Sequence, residues 1–237
     1  MTDWLDQIDF CIKTYKRPKA LARLRASIER FYPGAHITVN GQPDICEGRN
    51  ALARDTQRPF LLFLDDDFEF TNSTTVLGLL AQIRTGPQMI DICGGGVEDV
   101  TPGGNVLRNS GGNFRLENRT LYLECCEKDD PGFRGFVQMV PNFFIARRGV
   151  FDKVRWRFGL GAEHADFFMQ ADAEGLLTYQ DRRFTILHYL NSPCDPGYKA
   201  ARWDVGGPIL AFMDHWGVDR IVVNGKVVQT RPMEAVR

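Results

Sequence analysis

The chain has 237 residues, a net charge of -1, 43% hydrophobic and 25% charged residues. That is enough sequence for one large domain with a proper core, and the charge balance excludes a disordered chain and a general polyanion or nucleic-acid binder. The opening segment, MTDWLDQIDFCIK, has acidic residues where a secretory leader would be basic, and no stretch reaches the ~20 apolar residues of a membrane-spanning helix. The expectation is a cytoplasmic protein without a transmembrane segment, with peripheral membrane contact left open. Cys11, Cys46, Cys93, Cys125, Cys126 and Cys194 form no C-x-x-C pair, so free thiols in a reducing compartment are expected and a structural zinc is not.

In chain order, I-D-F-C-I-K-T from Ile8 alternates as a strand does, and Pro18 opens a segment whose Leu21, Leu24, Ile28 and Phe31 recur at helical spacing until Pro33 and Gly34. AHITV predicts a second strand, GRNALARDTQ a short helix and FLLFL a third strand with no polar face. STTVLGLLAQIR predicts a helix capped by Ser73 or Thr74, and MIDICGGGV returns to the sheet. Between Gly94 and Gly135 the glycines, Asp, Asn and Pro predict hairpins and mobile loops. FVQMVPNFFIA resumes strand composition, EHADFFMQADAEG predicts a helix from about Glu163 to Ala173, FTILHYL is a late strand, and IVVNGKVV predicts a hairpin turning at Asn224 and Gly225. Alternating strands and helices argue for an α/β fold, a mixed but mostly parallel sheet flanked by helices in a single domain.

The chemistry concentrates in FLLFLDDDFEF, where Asp65, Asp66 and Asp67 end an apolar strand. Carboxylates packed together repel and are costly to desolvate, and a cation relieves both. In open parallel sheets ligands collect beyond the carboxyl ends of the strands, which is where these residues fall. If the strand's alternation continues, Asp65 and Asp67 face one site and Asp66 points away. Two such carboxylates suit Mg²⁺ or Mn²⁺ bridging to phosphate oxygens. The plain alternative is an acidic turn capping the next helix.

FCIKTYKRPKALARLRASIERFYP, GRNALA, FLLFLDDDFEFT, NFFIAR and EHADFF together resemble inverting GT-A glycosyltransferases of the glycosyltransferase 2-like superfamily. Within it the nearest are the β-1,4-N-acetylgalactosaminyltransferases of the ganglioside-synthase type. The resemblance runs over residues 8–190 and is most specific in the first strand and helix and around the D-x-D. It implies a GT-A (Rossmann-like) fold and transfer of a sugar, GalNAc or another hexose, from a UDP-sugar to a saccharide, glycolipid or glycoprotein acceptor with inversion, using Mn²⁺ or Mg²⁺.

Carried residue by residue, the resemblance implies Asp67 as metal ligand, His188 as a ligand from the late strand, and Asp65 on the metal, its water or the ribose. Asp166 is implied as the base, with Glu163 one helical turn earlier as the alternative and His164 orienting the acceptor. Lys13, Thr14, Arg49, Asn50 and Asp66 are implied on the donor. VNGQPD replaces an acidic loop usual after the second strand, with Asp44 as a substitute contact to the base. Lys16 and Arg17 are either diphosphate contacts or solvated loop charges. Lys199 and Arg202, with Trp203, lie in a Pro- and Gly-rich stretch that could close over the diphosphate.

The expected organisation is one domain over residues 1–237: a nucleotide-binding half (1–100), an acceptor and catalytic half (101–204) and a C-terminal extension with a hairpin (205–237). Two other classes stay in view. A sugar-phosphate nucleotidyltransferase predicts a glycine-rich basic signature after the first strand, where KTYKRPKA has no glycine. A non-catalytic nucleotide-sugar or glycan-binding module predicts binding without turnover.

Overall fold

A computed structural model describes residues 4–86, 88–108, 111–125, 130–190 and 206–231. Its main sheet runs in the order β2 (His36–Asn40), β1 (Ile8–Lys13), β3 (Phe60–Asp65), β10 (Phe144–Arg147), β5 (Ile92–Thr101), β11 (Thr178–His188), β4 (Phe68–Glu69), with β6 (Gly104–Arg108) paired to β5 and β9 (Arg134–Phe136) to β11. β1 pairs in parallel with β2 and β3, and β5 with β11, while β10 runs antiparallel between β3 and β5. The carboxyl ends of β1, β2, β3, β5 and β11 therefore lie along one edge.

The two-residue period of the strands sorts the core into two layers. Ile8, Phe10, Ile12, Leu62 and Leu64 pack with Leu24 and Ile28 of α1 (Pro18–Phe31) and with Val76, Leu79 and Ile83 of α3 (Val76–Thr85). Cys11, Leu61, Phe63 and Phe144 pack with Leu52 and Ala53 of α2 (Ile45–Asp55) and with Phe167, Phe168 and Ala171 of α4 (Glu163–Ala173). The Cys11, Cys46 and Cys93 thiols are free and buried.

A second sheet, in the order β13 (Lys226–Thr230), β12 (Arg220–Val223), β8 (Thr120–Cys125), β7 (Gly112–Glu117), joins the middle of the chain to its C-terminal hairpin. Asn224 and Gly225 both have positive φ, 48° and 77°, as a two-residue hairpin turn requires. Through Leu121, Met169, Phe212, Met213 and Ile221 this sheet and α5 (Gly206–His215) pack against α4.

Three local expectations change. The third helix starts at Val76 after Thr75, and Thr74 is no cap: its hydroxyl donates to the Thr185 carbonyl at 2.6 Å and accepts from Thr71 N at 2.9 Å, pinning the preceding loop to β11. α2 starts at Ile45, ahead of GRNALARDTQ, because Asp44 accepts from Glu47 N at 2.9 Å as N-cap. FVQMVPNFFIA is not one strand: β9 ends at its Phe136 and β10 begins at its Phe144, with Met139 bridged to Gly112 between them. Gly94, Gly95 and Gly96 lie in buried β5, as MIDICGGGV predicted, and a Cβ on Gly95 would collide with the Phe143 ring and the Phe184 carbonyl.

Candidate active site

A cavity of about 460 Å³ opens at the carboxyl edge of the main sheet. Its walls come from the β1–α1 loop (Thr14, Tyr15, Arg17), the β2–α2 loop (Pro43, Asp44), the three aspartates after β3, and Arg108, Leu160 and His188. The first loop reverses at Lys16, whose φ of 51° is left-handed, and this swings Arg17 back over the aspartates.

All three aspartates line this cavity, so Asp66 does not point away as strand alternation predicted. β3 ends at Asp65, and Asp66 and Asp67 belong to the tight turn into β4, where the two-residue period no longer holds. Asp65 accepts from Arg49 at 2.9 Å and from Asn142 at 3.1 Å. Asp66 accepts from Thr14 at 2.6 Å and from Arg17 at 2.7 Å. Burial pushes its pKa up to about 6 against the opposing pull of Arg17 and Thr14.

Asp67 is 7% exposed. Its Oδ2 accepts from Arg17 at 2.9 Å and lies 3.2 Å from His188 Nε2. Its Oδ1 is buried and has no hydrogen-bond partner among the described residues. Burial alone would raise the Asp67 pKa, but the hydrogen bond and charge of His188, with Arg17, hold it at about 2. Burial also disfavours the charged form of His188, and contacts with Asp67 and Asp99 outweigh it, so the His188 pKa is raised.

Asp67 thus offers Oδ1, without a partner among the described residues, while its other oxygen lies beside His188 Nε2, and a carboxylate and an imidazole so placed are a donor set that fits a divalent cation of borderline hardness. Among the described residues no group of three or more His, Cys, Asp or Glu side chains is disposed to hold a metal by itself. A cation such as Mg²⁺ takes one or two protein ligands and completes its shell from substrate phosphates and water. Asp65 accepts one hydrogen bond on each oxygen, from Arg49 and Asn142, and its side chain is 29% exposed at the cavity, so it keeps lone pairs of its own.

Lys13 lines the cavity, and its ammonium donates to the carbonyls of Gln42 at 2.5 Å and Thr14 at 2.9 Å, tying the β2–α2 loop to β1. Arg49 is buried behind the aspartates, between Asp65 and Glu163 Oε1 at 3.4 Å. Asn50 does not reach the cavity: its amide donates to the Trp156 carbonyl at 2.9 Å and accepts from Trp156 N at 3.0 Å. Lys199, Arg202 and Trp203 lie outside the described residues.

Glu163 and Asp166 part company here. Glu163 Oε2 accepts from Gly161 N at 2.7 Å, at the end of a loop whose Gly159 and Leu160 form cavity wall. Phe158, Gly159 and Gly161 all have positive φ, which folds this loop tightly against the start of α4. Asp166 is fully buried and takes Arg157 at 2.7 and 3.0 Å, Trp216 Nε1 at 2.9 Å and Gln170 at 2.8 Å. Four donors occupy its lone pairs, and neither Asp166 nor Glu163 itself lines the cavity. His164 packs edge-on against Phe168 with ring centroids 5.1 Å apart. Burial, and then the Arg49 charge, push its pKa down to about 4.

Sequence reasoning missed Asp99, Arg108, Asn142, Arg157 and Trp216, and left Arg17 undecided. TPGG at 101–104 was a usable signal for the β5–β6 hairpin, since Thr101 pairs with Gly104 across a two-residue turn. Nothing local marks the others.

No protein-family model matches the chain. It is 28% identical over 177 residues to mouse "Beta-1,4 N-acetylgalactosaminyltransferase 1", covering 62% of this chain and 32% of the relative. The human protein of that name is 27% identical over 179 residues, with 62% and 32% covered. The chain thus spans about a third of the length of these curated relatives. Among solved structures, GalNAc-T7 with UDP, GalNAc and Mn²⁺ superposes with a TM-score of 0.58 at 12% identity, covering 80% of this chain and 45% of that one. TarS 1–349 of S. aureus in complex with UDP-GlcNAc gives 0.53 at 13%, covering 79% and 59%. The likeness shows the fold: a mixed α/β domain with the mostly parallel sheet of GT-A glycosyltransferases.

Proposed function

We propose that the chain is a divalent-metal-dependent, inverting glycosyltransferase that moves a hexose or N-acetylhexosamine from a UDP-sugar to a saccharide, glycolipid or glycoprotein acceptor. The observation that carries this reading is Asp67, whose buried Oδ1 has no partner among the described residues and whose Oδ2 lies beside His188, on a cavity at the carboxyl edge of the sheet. The UDP and Mn²⁺ of the GalNAc-T7 structure and the UDP-GlcNAc of the TarS structure support the donor class and the cation. Inversion is supported by the β-linkage in the names of the curated relatives, the configuration that inverting an α-linked donor gives.

In this reading Asp67 and His188 hold Mn²⁺ or Mg²⁺, which when bound stabilises charge on the departing diphosphate. Arg17 holds Asp66 and Asp67 in place, and Thr14, Asp44 and Lys13 shape the donor end of the cavity. Residues 1–100 thus serve as the donor half, and 101–204 bring in the acceptor side. Glu163 replaces Asp166 as the proposed base for the acceptor hydroxyl, because its carboxylate keeps lone pairs that Asp166 has given to four donors. Arg49 joins it to Asp65, which lines the cavity.

Calorimetry with UDP tests the reading. Affinity should fall sharply when the metal is chelated, and Asp67→Asn should lose the metal-dependent part alone. Equal UDP affinity with and without Mn²⁺ would sink the assignment, and retention of donor configuration in the NMR spectrum of the product would remove inversion.

A further inference from the structure

The β5–β6 hairpin brings to the cavity rim two charged side chains that the proposed reaction does not yet use. Asp99 is the register partner of His188 in the β5–β11 pair, and Arg108 sits opposite Val97 across the hairpin. Asp99 Oδ1 lies 2.7 Å from His188 Nδ1. Arg108 grips the same carboxylate, with Nε 3.1 and 3.2 Å from its two oxygens and Nη2 3.0 Å from Oδ1. The other ring nitrogen, Nε2, is the one that faces Asp67 at 3.2 Å.

An ionised carboxylate only accepts hydrogen bonds, so the proton in the 2.7 Å contact belongs to His188 Nδ1. Arg108 Nη2 also approaches Nδ1, at 2.9 Å, but a guanidinium only donates. It cannot bond to a protonated nitrogen, and Asp99 Oδ1 is its available acceptor. By the same rule the 3.2 Å contact with Asp67 Oδ2 carries a proton on Nε2 in the metal-free protein; with Asp99 holding the Nδ1 proton, Nε2 is the nitrogen that loses its proton in the neutral ring and offers a lone pair to a cation. The opposite tautomer would place an N–H there and close that nitrogen to a cation.

We propose that Asp99, clamped by Arg108, is a positioning residue that holds His188 in its Nδ1–H form and so sets the cation affinity of the Asp67–His188 pair. The inference rests on the metal-binding reading above, and its test is divided so that the two can fail separately. Asp99 and Arg108 side chains are 20% and 36% exposed, at the rim rather than in the core, so neutral substitutions there should leave the fold intact.

In metal-free protein labelled with ¹⁵N-histidine, the His188 Nδ1 proton should be detected directly and protected from exchange. Asp99→Ala should abolish that protection, and Asp99→Asn, which keeps an acceptor oxygen, should restore part of it. Separately, titration with Mn²⁺ in the presence of UDP, read by electron paramagnetic resonance, should show ~10–100-fold weaker Mn²⁺ binding in Asp99→Ala, the cost of losing an outer-shell partner. UDP affinity without metal should not change. If Asp99→Ala does not fold, Arg108→Gln serves instead and should weaken Mn²⁺ in the same direction by less. A wild-type Nδ1 without a proton overturns the proposal, as does a variant that folds and binds Mn²⁺ like wild type. Wild-type protein that binds no Mn²⁺ yet keeps an Asp99-dependent Nδ1 proton refutes the metal reading and leaves the tautomer assignment standing.

Discussion

Asp67 and Asp166 are 7% and 0% exposed, each contacts an arginine, and each lies in a stretch of sequence that points to chemistry. They differ in what is left over. Arg157, Trp216 and Gln170 supply four hydrogen bonds to Asp166, the number a carboxylate accommodates, whereas Asp67 keeps one buried oxygen without a partner among the described residues. A saturated buried carboxylate holds structure together. An unsaturated one carries a desolvation cost that a ligand can remove. Residue type marks both as candidates, and only the count of donors separates them.

The sharpest way to break the comparison is at α4. Glu163→Gln should lower turnover by ~10²–10⁴-fold while leaving the KM for UDP-sugar nearly unchanged, as loss of a general base does. If Glu163→Gln is near normal and Asp166→Asn loses turnover instead, donor saturation is the wrong criterion and Asp166 is the base.

Next in size is the structural role of Asp166. Asp166→Ala leaves Arg157 and Trp216 Nε1 without their acceptor and should cost about 2–4 kcal/mol, less than the ~3–5 of a fully buried pair because the Arg157 side chain is 25% exposed. Melting should fall by roughly 5–15 °C, with turnover per folded molecule retained at low temperature. An unchanged melting temperature would show that the four hydrogen bonds do not stabilise the fold.

The smallest effect expected is a pH dependence from His164. Its folded pKa of about 4 lies below the 6.5 of a free imidazole, so between these values the unfolded chain holds the proton and the folded chain does not. Stability should therefore be full above pH ~6.5, decline as pH falls towards ~4 and level off below, by about 3 kcal/mol at most. Arg49 and Asp65 carry charge near the same ring, so the comparison to make is with His164→Phe, in which this slope should vanish. Denaturant midpoints with equal pH dependence in both proteins would refute it.

Much of this molecule was legible from its sequence because the signals were local. The β1–α1 unit, β3, α4 and the Asn224–Gly225 hairpin follow from periodicity and turn chemistry within a few residues, and strand ends put Asp65–Asp67 on the site edge. What stayed hidden depended on partners far along the chain. The orientation of Asp66 followed from where β3 stops, and the satisfaction of Asp166 from Trp216, 50 residues away. Asp99 acquires meaning only once β11 lays His188 beside it, 89 residues later. Charged residues in a glycine-rich stretch look solvated until the sheet is assembled.

The second sheet has a consequence for the order of assembly. β8 pairs with β7 across a tight turn, but its other edge waits for β12, and the Arg119–Asp219 pair at that seam closes a separation of 100 residues. Such contacts are entropically late, since a long loop must close before they form. Until then β8 is an open edge able to pair with other chains, and α4 lacks the Trp216 contact to Asp166. The main sheet can form first, and α4, which carries the proposed base, is locked only when the C-terminal hairpin arrives.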